Sequence, residues 1–258
     1  MRIKISLSSK IKTCLPSNNQ HLINGYVHRC LGNNNEYHDG PSNYSVSSLQ
    51  GGNINKTDKT LTLEDGDDVY FLVSSVDESF ISRFYSGVTS NKIFYGDIRA
   101  SITLMNEETY QNRYNRFKTL SPLLIKSNNK PVTIEDFSGK KEMSDFITSI
   151  TKNRLTKISD KYNIGLDLTN FNIEIKWCKP TKKFVKPNSA GQWANECDFI
   201  VYSDGKTART LASVGIGQST GSGFGTICKI ENYRTYRPKN DLKSEMEKTA
   251  LELAQVRI

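Results

Sequence analysis

Residues 214–231 read VGIGQSTGSGFGTICKIE, and the elements on either side of this glycine run decide the fold. From Gly217 to Gly221 the run spells GxSxG, the nucleophile elbow of serine hydrolases, and from Gly215 it half-resembles a phosphate-cradling turn. Both motifs demand a strand before the glycines and a helix after them. Here TARTLASVG (207–215) reads as a short helix before the run and GFGTICKIEN (223–232) as a strand after it. Every histidine (His21, His28, His38) lies far upstream, so no base follows Ser219 in chain order, and no lysine follows the glycines as in a P-loop. Two readings stay open: a loop that needs positive φ, or a loop whose missing side chains let another backbone lie close.

The helix and strand around the run close a repeated plan. FKTLSPLLIKS (117–127) reads as a strand, residues 139–162 as a long helix, NFNIEIKWCK (170–179) and ECDFIVYSD (196–204) as partner strands. The first half follows the same order. MRIKISL alternates with period two, placing Ile3, Ile5 and Leu7 on one face. PSNNQHLINGYVHRCL predicts a helix from Ser17 to Leu31, with Ser17 and Gln20 as a capping box and Ile23, Val27, Cys30 and Leu31 as its apolar stripe. NYSVSSL is a strand, GGNINKTDKT a flexible turn, DDVYFLVSSV a strand, DESFISRFYSGV a short helix and DIRASITLM a strand. Each half is thus β-α-β-β-α-β. The predicted fold class is α+β: two tandem ferredoxin-like (RRM-like) domains with antiparallel four-stranded sheets, residues 1–115 and 116–258, joined near NRYNRFK. The segment DLKSEMEKTALELAQVRI (241–258) carries Leu242, Met246, Ala250, Leu253 and Ala254 at helical spacing, for packing on its own domain or for docking a partner.

Composition narrows the partners. Among 258 residues, 35 Lys and Arg face 27 Asp and Glu, a net charge of +8, which favours a polyanionic partner. The five cysteines (Cys14, Cys30, Cys178, Cys197, Cys228) contain no CxxC pair, so mostly buried thiols in a reducing cytosol are expected. Residues 1–14 never sustain the apolar core of a signal peptide, and no stretch approaches the ~18 apolar residues of a membrane span. A soluble, cytoplasmic protein with no membrane partner is the expectation.

GIGQSTGSGFG, lying between the last helix and last strand of a second ferredoxin-like unit, resembles the C-terminal signature of the RAMP superfamily of CRISPR-associated proteins. FKTLSPLLI resembles the strand opening the second half of its repeat-processing endoribonucleases, the family called Cas-six. Residues 173–205, with their basic segment and tryptophan-containing turn, are similar to that family's paired strands. NGYVHRCLG followed by YHDGPSNYSVSSL resembles its first helix, histidine loop and second strand. The resemblance covers residues 1–232. It implies a metal-independent endoribonuclease, without cofactor, that cuts CRISPR repeat RNA by 2′-hydroxyl attack to leave a 2′,3′-cyclic phosphate and a 5′-hydroxyl. The alternative is a non-catalytic RAMP-type RNA-binding subunit of a CRISPR effector complex. Monomer and homodimer both stay open.

Metal-free RNA cleavage needs a base for the 2′-hydroxyl, an acid for the departing 5′-oxygen and positive charge for the phosphorane between them. Histidine suits both proton roles. His38 matches the family's catalytic histidine and His28 the helix position where relatives carry tyrosine or histidine; on chemistry alone each could equally be a polar surface residue. His21, seven residues before His28, is a reserve candidate. Ser42 stands where several relatives carry lysine, and because a hydroxyl supplies no charge, Arg29 or Lys56 is the expected substitute. For RNA contact the candidates are Gly215, Gly217, Ser219, Gly221, Gly223 and Gly225 of the loop, and Lys179, Lys182, Lys183 and Lys186 of a basic segment that begins at Lys176. That segment is either a solvated hairpin or an RNA groove, and its Trp177 and Phe184 are either core or stacking platforms.

Overall fold

The computed structural model describes residues 1–32, 35–37, 43–55, 57–105, 108–186 and 189–230. His38, Ser42, Lys56 and the apolar stripe from Leu242 to Ala254 lie outside them.

The first unit contains β1 (Arg2–Ser8), β2 (Thr13–Pro16), α1 (Gln20–Leu31), β3 (Tyr44–Val46), β4 (Asn53–Asn55), β5 (Thr60–Leu63), β6 (Val69–Ser75), α2 (Glu78–Ser90), β7 (Ile93–Tyr95) and β8 (Ile98–Leu104). Its main sheet runs β3-β6-β1-β8-β7, antiparallel throughout. The first and third strands of the plan therefore sit in the centre, as in a ferredoxin-like fold. Ile5 pairs with Phe71 on one side and Ile102 on the other. It is fully buried beneath α1 and α2, with Tyr26, Phe71, Phe80 and Phe84.

The second unit contains β9 (Arg113–Thr119), β10 (Ile125–Ser127), β11 (Lys130–Val132), α3 (Lys140–Tyr162), β12 (Asn172–Lys183), β13 (Gln192–Ser203), α4 (Gly205–Val214) and β14 (Ile227–Lys229). Its sheet runs β12-β13-β9-β14, the same arrangement of first, second, third and fourth strands. Phe117, Phe199, Ile147, Leu155 and Leu211 fill the core between this sheet and α3 and α4. The chain is α+β with two tandem ferredoxin-like units, and the second sheet's first strand starts at Arg113.

Four local expectations are corrected. The first sheet has a fifth strand, the edge strand β7. GGNINKTDKT is no simple turn, because its Asn53–Asn55 forms β4 of a separate three-stranded sheet, β2-β5-β4. The Ser17 capping box does not form: Pro16 pairs with Thr60, the Ser17 N–H donates to the Lys59 carbonyl, and this extended ladder delays α1 to Gln20. FKTLSPLLIKS breaks after Thr119, where the N–H groups of Leu120 and Ser121 turn to the Thr226 carbonyl, before Pro122, which has no donor for a ladder.

Cys30 and Cys197 are buried, Cys178 and Cys228 half-buried and Cys14 exposed. Cys178 and Cys197 are cross-strand neighbours with sulfurs 3.2 Å apart. Among the described residues no helix is long and apolar enough to cross a membrane.

The two units meet along β3. This three-residue edge strand is buried throughout, and its exposed backbone edge is covered by the glycine run of the second unit. The Thr220 hydroxyl donates to the Tyr44 carbonyl at 2.8 Å. Farther along, the Ser48 N–H donates to Ser121 Oγ at 2.7 Å and Gln50 Nε2 to the Leu120 carbonyl at 3.1 Å.

Candidate nucleic-acid interface

The glycine run leaves α4 at Gly215, makes a single 3-10 turn at Thr220–Ser222 and enters β14 at Ile227. Gly215, Gly217, Gly223 and Gly225 all have positive φ. Their missing side chains admit protein rather than leaving bare surface. A Cβ on Gly225 would lie 1.8 Å from the Ile216 carbonyl oxygen, and one on Gly217 would lie 2.5 Å from that of Leu124. A Cβ on Gly223 would strike the Gln20 side chain at 2.2 Å. The backbone N–H groups turn inward as well: Ile216 donates to Gly225, Gln218 to Leu124, and Gly225 to Pro122. Of the expected loop contacts, Gly215, Gly221, Gly223 and Gly225 are buried, which corrects the picture of an exposed glycine backbone. The outward residues are Gln218, Ser219 and Ser222, with Gly217 half-exposed. Ser219 adopts φ +55, a left-handed conformation that costs about 1 kcal/mol outside glycine.

Two cations bolt this loop from opposite flanks. Arg154 of α3 donates through Nη2 to the Val214 carbonyl (2.8 Å) and Thr220 Oγ1 (2.9 Å), and through Nη1 to the Gly217 (3.1 Å) and Gly215 (3.3 Å) carbonyls. Burial pulls its pKa down to about 10, which leaves it charged at neutral pH. On the other flank the Lys183 amine donates to the Gly223 carbonyl and to Ser48 Oγ, over the Phe224 ring. Its stem is partly exposed but the amine is enclosed, and burial lowers its pKa to about 7.

α1 lies along the loop with a polar stripe. Gln20 Nε2 donates to Asn24 Oδ1 and Asn24 Nδ2 to the Ser222 carbonyl. His28 sits one helical turn beyond Asn24 on the same face, half-buried, a rise of about 6 Å. Arg29 is turned off that face: its guanidinium donates to the Ile93 and Phe94 carbonyls at the β7 edge and stacks over Tyr26. His21 Nδ1 contacts the Asn18 carbonyl at the start of the helix.

Between the loop and α3 lies a cleft of about 590 Å³, within the size range of small-molecule sites. Its walls include Asn153, Lys157 and Lys161 of α3, Gln218 and Ser219 of the loop, and Asn43, the first described residue after His38 and Ser42. Among the described lining residues none is acidic. The α3 lysines carried no signal in the sequence beyond a helix with a charged face.

The basic segment is divided by its strand register. Lys176 pairs with Glu174, Lys179 lies across from Glu196, and Lys183 is turned inward. Lys179, Lys182 and Lys186 are the exposed cations of the segment. Lys182 lies 5.9 Å from the ring centres of both Phe184 and Trp193. Those two rings are 39% and 53% exposed, so Phe184 is surface rather than core, and Trp193 joins it; Trp177 is half-buried.

Residues 105–228 match the family model described as CRISPR associated protein Cas6, C-terminal. Among solved structures, a Cas6-related protein from Pyrococcus furiosus shares the fold at a TM-score of 0.69 and 20% identity, over 90% of this chain and 99% of that one. A RAMP protein described as binding different RNA substrates matches at 0.66 and 23% identity, over 90% and 100% of the two chains. A CRISPR associated protein Cas6 matches at 0.64 and 19% identity, over 90% and 99%. No protein of curated function matches in sequence.

Proposed function

We propose, from the premise that residues 105–228 form a Cas6 C-terminal domain, that this protein binds CRISPR repeat RNA and cuts the precursor transcript without a metal ion. The observation that carries the reading is convergence on the glycine loop: the α1 stripe ending in His28 contacts it from one side, and Asn43, which follows the His38 segment, shares a cleft with it. In the reaction one histidine takes the 2′-hydroxyl proton. The freed oxygen attacks the adjacent phosphorus, and the other histidine protonates the 5′-oxygen as its bond to phosphorus breaks. The products are a 2′,3′-cyclic phosphate and a 5′-hydroxyl, and each histidine changes protonation state once. Outward Gln218, Ser219 and Ser222 are positioned to hold the RNA backbone, and Lys182, Phe184 and Trp193 to take bases by stacking.

The purified chain, incubated with its own repeat transcript in EDTA, is expected to yield a defined cut. A 2′-deoxy substitution at the scissile nucleotide blocks it. His38→Ala and His28→Ala are each expected to lower the single-turnover rate by about 100-fold or more while retaining RNA affinity. A cut that requires divalent metal, or that survives in both variants, defeats this mechanism. Binding without any cut in the wild type would favour the second reading, a non-catalytic RNA-holding subunit, which the hydroxyl of Ser42 in place of a charged side chain supports.

A further inference from the structure

Resting on the RNA-binding reading above, the geometry points to Lys157 and Lys161 of α3 as the side chains that hold an RNA backbone phosphate in the cleft beside the glycine loop. We infer this from how the cleft's cations are used. Three line it: Arg154, Lys157 and Lys161. Arg154 directs its guanidinium to the Val214, Gly215 and Gly217 carbonyls and Thr220, inside the loop rather than toward the cleft's open side. Lys157 and Lys161 are exposed and four residues apart, so they present ammonium groups from successive turns of one helix face. Asn153, one turn earlier, continues the stripe with an amide. Opposite them stand the exposed hydroxyl of Ser219 and amide of Gln218, donors of the kind that fix a phosphate without reading a base. With no acid among the described lining residues, the cleft's field is positive and its ligand an anion.

The ligand is committed to the phosphodiester chain of RNA by shape. The cleft borders α3 from Ile150 to Lys161, and its lining includes the apolar side chains of Ile150, Leu155 and Ile158. A strand can lie in it with phosphates against the lysines and sugars against those apolar side chains.

The test uses the full chain and its repeat RNA, made non-cleavable by a 2′-deoxy scissile nucleotide. Affinity is measured as a function of salt. Each lysine that contacts a single-stranded phosphate contributes about 0.7 to the slope of log affinity against log salt. Lys157→Gln and Lys161→Gln are each expected to reduce the slope by about that amount, and the double variant by about twice as much. Lys157→Arg is expected to retain it. Lys141→Gln removes the same charge from the same helix some 24 Å away by helical rise, and should leave slope and affinity unchanged. With cleavable RNA, the double variant is expected to cut at least about 10-fold more slowly. Unchanged slope and unchanged rate in the double variant would overturn the assignment, as would an equal loss in Lys141→Gln. A wild-type protein that binds but does not cut would defeat the nuclease reading alone, and the slope would still decide the lysines.

Discussion

Arg154 and Lys183 perform the same task on opposite flanks of the glycine loop, and burial changes their charge to different degrees. Both are cations from the second unit, both donate to loop carbonyls, and both also bind a hydroxyl, Thr220 for one and Ser48 for the other. The guanidinium spreads its charge over a planar fork that satisfies several acceptors at once, so it remains protonated at neutral pH despite burial. The ammonium concentrates its charge on one nitrogen with two named acceptors and an aromatic face. Burial therefore carries its pKa to about 7. The side of the loop facing the α3 cleft is thereby held by a permanent charge, and the side facing the first unit by one that titrates.

The largest effect is expected from breaking the Arg154 side. Arg154→Ala leaves three backbone carbonyls and the Thr220 hydroxyl without this donor, and should cost about 3–5 kcal/mol in chemical denaturation. A loss below about 1 kcal/mol would mean that water replaces the guanidinium and that it is no bolt.

Glycine substitutions sharpen the contrast. Gly225→Ala forces a Cβ to 1.8 Å from the Ile216 carbonyl at φ +60, where only backbone movement relieves it, and should cost about 3 kcal/mol. Gly223→Ala, beside Lys183, meets the end of the Gln20 side chain, which can swing away; about 1–2 kcal/mol of backbone strain remains. Equal melting temperatures for the two variants would contradict that distinction.

The smallest effect is a pH dependence on the Lys183 side. The folded-state pKa lies below that of the unfolded chain, so between about 7 and 10.5 the unfolded state binds more protons and stability rises with pH. Measured against Lys183→Met, the wild type should gain about 1 kcal/mol across that window, a value discounted for the partly exposed stem. A difference between the two proteins that stays flat from pH 7 to 10 would show that the amine is solvated.

Much of the fold was legible because its signals are local. Ile3, Ile5 and Leu7 alternate and fall on the buried face of β1, and the α1 stripe of Ile23, Val27, Cys30 and Leu31 is buried as its spacing predicts. The order of elements carried both units. The small β2-β5-β4 sheet was not legible, since β4 is only three residues long and all of them, Ile54 included, are exposed, so no buried face marks it in the sequence. In the candidate site, the glycine run and the basic hairpin stood out as composition. Their partners did not: Glu196 opposes Lys179 only through strand register, and Lys157 and Lys161 read as an ordinary solvated helix face until the loop lies opposite them.

The plan of two β-α-β-β-α-β units and the need for glycine at positions of positive φ are local properties, because periodicity and backbone conformation are set by neighbours along the chain. What those glycines face, and which charges share a cleft, follow from how distant segments pack. Tyr44 and Thr220 are 176 residues apart and joined by one hydrogen bond. Contacts of that range depend on how two separately patterned units pack, and packing leaves no period in either one.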